Sequence, residues 1–333
     1  MTKNKLLLLL ALLMVAVTGA VAQTTYKVSV KVGTKDAEKW TVEPTEAAAG
    51  TQVTVTYSGL KSVNSVKAVK KAAVPYFSVS STQKVVFAPG NLQAGFAEAG
   101  TSDCIWQFAP TQYSYIGNAP ANNALGNNCV TKAGIVDLFG WVGEHSSLAA
   151  YGINSDGESN NYGGTAGEAL KSDWAVVAND ANLGGHNDWH TPTYAEWDYL
   201  FNTRTNASEK YGHGQIGNYN GVIILPDVWV LPDGLSFTAG QHAYSDNVYT
   251  LDEWAKMEEN GAVFLPAAGY RTTATKFNYI NKRARYWSST SPKEGLDNAS
   301  ITAYTLFINE NTLGQNNYKR HYGYSVRLVR FVE

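Results

Sequence analysis

A chain of 333 residues is long enough for one sizeable core and a small accompanying module. Its 26 Lys and Arg stand against 28 Asp and Glu, a formal net charge of −2, so there is no basic face for nucleic acid and no polybasic stretch for an anionic membrane. An aromatic share of 12% beside a charged share of only 16% points instead to a β-rich protein with polar, uncharged loops.

Met1 to Ala22 reads as a secretory signal: Lys3 and Lys5 form a positive start, Leu6 to Val17 an apolar core, and Ala20-Val21-Ala22 a small-residue cleavage site. That core is too short for a membrane span, and no Cys follows it to carry a lipid, so an exported, soluble mature chain without membrane insertion is expected. Without Lys3 and Lys5 the mature chain keeps 24 basic residues against 28 acidic ones. Residues 23–70 alternate apolar and polar positions at Tyr26, Val28, Val30 and Val32 and again at Val53, Val55 and Tyr57, with shorter runs at Trp40–Val42 and Val63–Val69. This predicts a small all-β module serving as a spacer, and 71–75 is read as a linker.

Residues 76–333 form the main domain. Val85-Val86-Phe87, closed by Pro89-Gly90, predicts a first strand, and Trp106, Phe108, Tyr113 and Tyr115 continue an aromatic core. Gly117 to Asp173 is rich in Gly, Asn and Ser and predicts long loops, interrupted at Asp137-Leu138-Phe139-Gly140-Trp141. Cys104 and Cys129 are the only two cysteines, and in an oxidising compartment such a pair is expected to be a disulfide. Closing that loop would contribute about 3 kcal/mol.

Two helices are announced by the same start signal. Thr193 with Glu196, and Thr250 with Glu253, are capping boxes. Trp197, Leu200 and Phe201 make an apolar stripe near 193–203, and Leu251 and Trp254 share a face near 250–260, where Asn260-Gly261 supplies the stop. The apolar runs Gly221–Pro226 and Gly261–Pro266 predict buried strands ending at a loop. Tyr304, Leu306 and Ile308 predict a strand, Ser325–Phe331 a last one, and Asn311–Tyr322 between them reads as a polar loop.

Five pieces together resemble one known family. Trp189-His190-Thr191-Pro192-Thr193-Tyr194-Ala195-Glu196-Trp197, Gly140-Trp141, Leu265 to Arg271, Tyr286-Trp287-Ser288-Ser289-Thr290 and Gly323 to Arg330 resemble elements of C-type-lectin-fold proteins. Among these are the relatives of the formylglycine-generating enzyme and the Fibrobacter-type major paralogous domain of secreted Bacteroidetes proteins. The resemblance implies an α+β, C-type lectin-like domain with two short helices, twisted antiparallel sheets and long loops, whose first and last strands pair. The oxidase branch needs reactive thiols in its C-terminal half, and no Cys follows Cys129. The Glu-Pro-Asn or Gln-Pro-Asp tripeptide of calcium-dependent sugar binding is also missing, with only poor echoes at Leu225-Pro226-Asp227 and Asn187-Asp188-Trp189. No catalytic residue, metal or cofactor is therefore expected, and the chain is read as a binding protein and not an enzyme.

His186 and His190 have the i, i+4 spacing of zinc ligands, but they precede the helix cap on extended chain, so they are expected to pack loops. Asp137, Glu144 and His145 lie close together in sequence without a catalytic signature. Arg271, Arg327 and Arg330 are expected to be structural. Tyr279, Asn281, Tyr286, Asn316, Asn317, Tyr318, Arg320, His321 and Tyr322 have the composition of a binding surface, in which Tyr supplies rigid area and Asn adaptable hydrogen bonds. The expected function is a secreted or cell-surface, adhesin-like protein recognising an extracellular protein or glycan through that surface. A structural subunit of a surface appendage and an enzyme housed in the 117–173 loops are the alternatives.

Overall fold

The computed structural model describes the backbone of segments 25–27, 40–43, 45–48, 52–57 and 63–67, then residues 75–97, 104–117, 125–126, 129–130, 133–141, 173–178, 183–273, 276–292 and 301–332. The chain divides into two compact units, Met1–Ala73 and Val74–Glu333. The signal read at 1–22, the strand residues Val28, Val30 and Val32, and most of the 117–173 stretch, Glu144 and His145 included, lie outside the described residues.

In the first unit, β1 (Thr25–Lys27) pairs antiparallel with β3 (Glu46–Ala48), and β4 (Gln52–Tyr57) lies between β2 (Trp40–Glu43) and β5 (Val63–Lys67). The alternating Val53, Val55 and Tyr57 predict β4, and the less regular Val63, Val66 and Val69 predict β5. The Glu-Ala-Ala of β3 has no such period and is found only through its pairing.

The second unit is mixed, mostly short strands with few helices. Its strands begin with β6 (Phe77–Ser78), β7 (Lys84–Phe87), β8 (Leu92–Phe96), β9 (Ile105–Phe108), β10 (Leu125–Gly126), β11 (Cys129–Val130) and β12 (Gly134–Val136). After α1 (Trp174–Ala178) come β13 (Trp189–His190), α2 (Tyr194–Asp198), β14 (Tyr211–Ile216), β15 (Tyr219–Ile224), β16 (Val248–Tyr249), α3 (Leu251–Glu259) and β17 (Val263–Pro266). The last strands are β18 (Tyr270–Arg271), β19 (Phe277–Asn278), β20 (Ala284–Trp287), β21 (Thr302–Asn309), β22 (Thr312–Lys319) and β23 (Val329–Phe331). Among the described residues no helix is long and apolar enough to cross a membrane.

The first and last long strands are neighbours, as expected: β23 pairs antiparallel with β7, Arg330 opposite Val86, in the sheet β13-β23-β7-β6. A second sheet, β16-β14-β15-β17, explains the two continuous apolar runs. Successive strand residues point to opposite faces, and both faces here are covered. Val222, Ile224, Val263 and Leu265 enter one core cluster, while Ile223, Leu225 and Phe264 enter another. Where β15 passes β17 there is no room for a side chain, since a Cβ on Gly221 would lie 2.3 Å from the Leu265 carbonyl oxygen.

Both capping boxes form. Thr193 Oγ1 accepts from the Glu196 amide at 3.1 Å while the Thr193 amide donates to Glu196 Oε2 at 2.7 Å. Thr250 and Glu253 repeat the arrangement. After α2 the chain continues through a π turn, Tyr199–Thr203, which carries Leu200 and Phe201 into the same core as Trp197. His190 Nε2 lies 3.1 Å from Glu196 Oε1, and its ring stacks on Phe331 with centroids 4.5 Å apart. His186 sits edge-on to Trp189 at 5.8 Å. Both histidines thus pack against aromatic rings, His186 from the chain before β13 and His190 from within that strand, not from a loop as expected.

Burial pushes the Glu196 carboxyl up, but the bonds from His190 and Thr193 outweigh it and hold the group below its usual range. A depressed carboxyl stabilises the fold above its unfolded pKa of about 4.3, and that gain is lost as pH falls through the lower folded value. The wild type should therefore exceed Glu196→Gln by about 1 kcal/mol at neutral pH, and the gap should close in acid. Urea melts of both proteins from pH 7 down to pH 3 measure it; a gap that does not change with pH would contradict the assignment.

Candidate functional site

The third sheet, β20-β21-β22, organises the region named by the sequence. Asn311–Tyr322 is not a polar loop. Thr312–Lys319 is an eight-residue strand paired along its whole length with β21, from Asn309 opposite Thr312 to Thr302 opposite Lys319. A strand alternates its side chains, so neighbours in sequence part company. On the face of Leu306, Ile308 and Leu313, which meets one core cluster, lie Tyr286 and Asn317; on the other face, whose Trp287 and Ala303 enter another cluster, lie Arg285, Phe307, Asn316 and Tyr318.

That second face is extended by the hairpin β18–β19, which is clamped to the turn after β22. Arg271 and Gly323 exchange backbone hydrogen bonds of 2.9 and 2.8 Å. The approach is close because residue 323 is glycine: a Cβ there would lie 2.7 Å from Arg271 Nη2. Between hairpin and turn is an open groove of about 350 Å³, lined by Tyr270, Thr272, Lys276, Asn278, Lys319 and Tyr322, with His321 behind. Beyond the hairpin, Tyr279 is held at φ 55, a conformation rare for a bulky residue, and is 44% exposed. The Arg283 guanidinium lies 4.0 Å from the centre of its ring, and the Tyr270 ring 5.6 Å away.

Behind the groove is a knot of rings around Tyr324. Trp287 lies 4.5 Å from it, Tyr270 5.9 Å, Tyr322 6.1 Å and Tyr318 6.2 Å. Arg285 stands against this knot, its guanidinium 3.7 Å from the Tyr318 ring centre and 5.6 Å from that of Tyr270. Burial raises the Tyr270 hydroxyl above its ordinary value while Arg285 draws it back. Burial raises Tyr324 much further, again against Arg285.

The structure brings together Tyr279, Tyr318 and Tyr322 and corrects several other residues of the expected surface. Tyr286 is fully buried, and its hydroxyl donates to the Pro266 carbonyl at 2.9 Å. Arg320 is buried as well, with Nε donating to the Thr302 carbonyl at 2.9 Å and the guanidinium 4.5 Å from the Trp141 ring, and His321 is 2% exposed. These three side chains are interior, because turn and strand geometry aim them at the core. Asn281 is committed to a loop: it accepts from the Asn220 amide and donates to the Asn218 carbonyl, both at 2.8 Å. Asn316 is exposed but caps its neighbour, accepting from the Asn317 amide at 2.8 Å.

Tyr270, Lys276 and Asn278 lie outside the stretches that the sequence assigns to this surface. A signal for the region exists, since five basic residues and no acid lie between Asn260 and Pro292.

Elsewhere, buried Asp137 accepts from the Ile116 amide at 2.7 Å and so serves its loop. Arg271 and Arg327 are fully buried, whereas Arg330 lies over Trp189. Cys104 is half-buried beside the first core cluster, and the side chain of Cys129 lies outside the described residues, so the expected bond between them stays an expectation.

A family model described as the Fibrobacter succinogenes major domain matches residues 153–330, which includes every residue of the groove. No curated protein and no solved structure matches the chain.

Proposed function

The chain belongs to the Fibrobacter succinogenes major domain family, and on that premise we propose that it is an exported, adhesin-like binding protein, not an enzyme, whose groove takes an extracellular protein or glycan. The C-type lectin-like fold implied by the family motifs, the signal read at 1–22 and the Cys104–Cys129 bond belong to this same proposal. The observation that carries it is the groove itself. Half-exposed Tyr270 and Tyr322, whose rings back onto the first core cluster, converge there with the exposed amine of Lys319 and the amide of Asn278. Tyr279, held in a left-handed conformation to present its ring, adds to this, since such strain concentrates at functional sites.

The variants that test this must spare the interior. Tyr318 supports Arg285 and packs against the core, so truncating it would mix stability with binding. Tyr322 packs on that cluster too, so the cleaner variants are Tyr279→Asn, because Asn tolerates positive φ, and Lys319→Ala, which removes an exposed amine of the groove. Against a panel of glycans and extracellular proteins, each variant should bind any ligand of the wild type about tenfold more weakly, at an unchanged melting temperature. Equal binding by the variants would place the ligand elsewhere.

A further inference from the structure

A second concavity lies on the other face of the sheet β20-β21-β22, the face where Leu306 stands opposite Gln315. It is a pocket of about 200 Å³, more enclosed than the groove. A core cluster makes its floor, with the rings of Trp197, Phe201 and Tyr211 beside Leu306 and Leu313. Around that floor stand Tyr194, Asp198 and Asn202 on one side, Gln241 and Gln315 on the other. None of these five is buried, so a ligand in the pocket reaches all of them.

Tyr194, Asp198 and Asn202 follow one another at intervals of four, the spacing that puts side chains on one side of a helical segment. The last two bracket the start of the π turn, whose wide bond runs from the Arg204 amide to the Tyr199 carbonyl at 2.9 Å. Such turns are rare and recur at functional sites. Asn202 Nδ2 donates to Asp198 Oδ1 at 2.9 Å, while the second Asp198 oxygen and Asn202 Oδ1 take no bond among the described residues. Burial first and the Asp198 carboxylate next raise the Tyr194 hydroxyl above its ordinary value, so the two groups are near neighbours. The Tyr194 ring, 36% exposed, is braced by Tyr304 at 4.5 Å. Across the pocket, Gln241 is held in place by accepting from the Leu313 amide at 3.1 Å.

This lining selects among ligands. Asp198 is the one charged residue in it, and the floor rings are buried, so no cage of exposed ring faces is offered to a cation. Carboxylate and carboxamides instead suit a ligand whose hydroxyls each donate and accept. We propose that the pocket is a second binding site, which takes the terminal pyranose ring of a neutral glycan. Asp198 and Asn202 hold two neighbouring hydroxyls as a pair, the apolar C–H face of the ring lies on Tyr194, and Gln241 and Gln315 close the other wall. A space of this size admits one ring and not a run of a chain.

Saturation-transfer NMR on the full chain tests this, with the methyl glycosides of glucose, galactose, mannose and xylose as probes and acetyl-lysinamide as a cationic one. At least one glycoside should bind. Asp198→Asn, Asn202→Ala and Tyr194→Ser should each weaken it about tenfold or more at an unchanged melting temperature, since the first two remove bonds to or beside a charged group and the third removes the platform. Failure of all four glycosides to bind would overturn the proposal, as would binding that survives the three substitutions. A glycoside lost with Lys319→Ala but kept by Asp198→Asn would lie in the groove and not here. Acetyl-lysinamide bound more tightly than any glycoside, and released by Asp198→Asn, would make this a cation site and sink the sugar. Weaker binding that comes with a lower melting temperature in all three variants would show the trio to be structural, and would overturn the proposal too.

Discussion

Trp287→Ala should destabilise the second unit by about 3–5 kcal/mol, the cost of emptying the largest kind of core site. The indole is fully buried, and its Nε1 donates to the Phe139 carbonyl at 2.6 Å. Its backbone amide donates to Ser325, so the residue joins β20, the 134–141 segment and the chain leading to β23. Trp141 reciprocates, donating from its own Nε1 to the Ser288 carbonyl at 2.8 Å. The two tryptophans are therefore crossed ties between the same pieces of chain, and the Phe139 carbonyl, which also accepts from the Tyr324 amide at 2.9 Å, keeps that one partner when Trp287 is removed. Trp287→Phe keeps most of the volume and should cost less, about 1–2 kcal/mol for the lost bond. Urea midpoints of the three proteins give the comparison, and an Ala variant within 1 kcal/mol of the wild type would mean that the site collapses easily.

Arg327→Met should cost as much, about 3–5 kcal/mol, for a different reason. This guanidinium is fully buried, and burial pulls its pKa down to about 10. It donates to Asn91 Oδ1 at 3.0 Å and to the carbonyls of Ala88, Gln112 and Phe264 at 3.0, 3.2 and 2.8 Å. A buried ion pair can often be exchanged for apolar residues because both partners are side chains. Here three of the four acceptors are backbone and cannot be mutated away, so each is left unpaired. Arg327→Lys restores the charge but not the planar fork, and should recover only part of the loss. Denaturant unfolding distinguishes the cases; equal stability of Arg327→Met would show that water replaces the four bonds at no cost.

The contrast between Arg327 and Arg285 also marks what could be read from the sequence. Both are arginines on strand-like chain among aromatics. Arg327 is saturated with acceptors, whereas Arg285 Nη1 has no hydrogen-bond partner among the described residues, and only the three-dimensional neighbourhood tells them apart. Local chemistry was legible: the capping boxes at Thr193 and Thr250 involve residues three apart, so sequence contains the whole interaction. The apolar runs at β15 and β17 were legible too, because burial on both faces leaves a continuous pattern. The amide-rich β22 reads as a loop in the sequence, since its strand form comes from pairing with β21 and not from its own composition. The same error merged Tyr286, Asn317 and Tyr318 into one surface, although period-two geometry sends the first two to the opposite face from the third. The groove itself needs the contact of Arg271 with Gly323, residues 52 apart, and no local pattern contains that.

The pairing of the first and last strands has a mechanical consequence. Phe331 lies opposite Val85, and Val85 lies opposite Phe77, so the chain enters and leaves the sheet β13-β23-β7-β6 at the same end of its central pair. Tension applied between those two points would act across the strands and break their hydrogen bonds one after another, as a zipper opens. The bonds would not share the load as they do when strands are sheared lengthwise. A domain tethered through one end and pulled through a ligand in its groove never loads that zipper, whereas one strung between two tethers would open at a lower force.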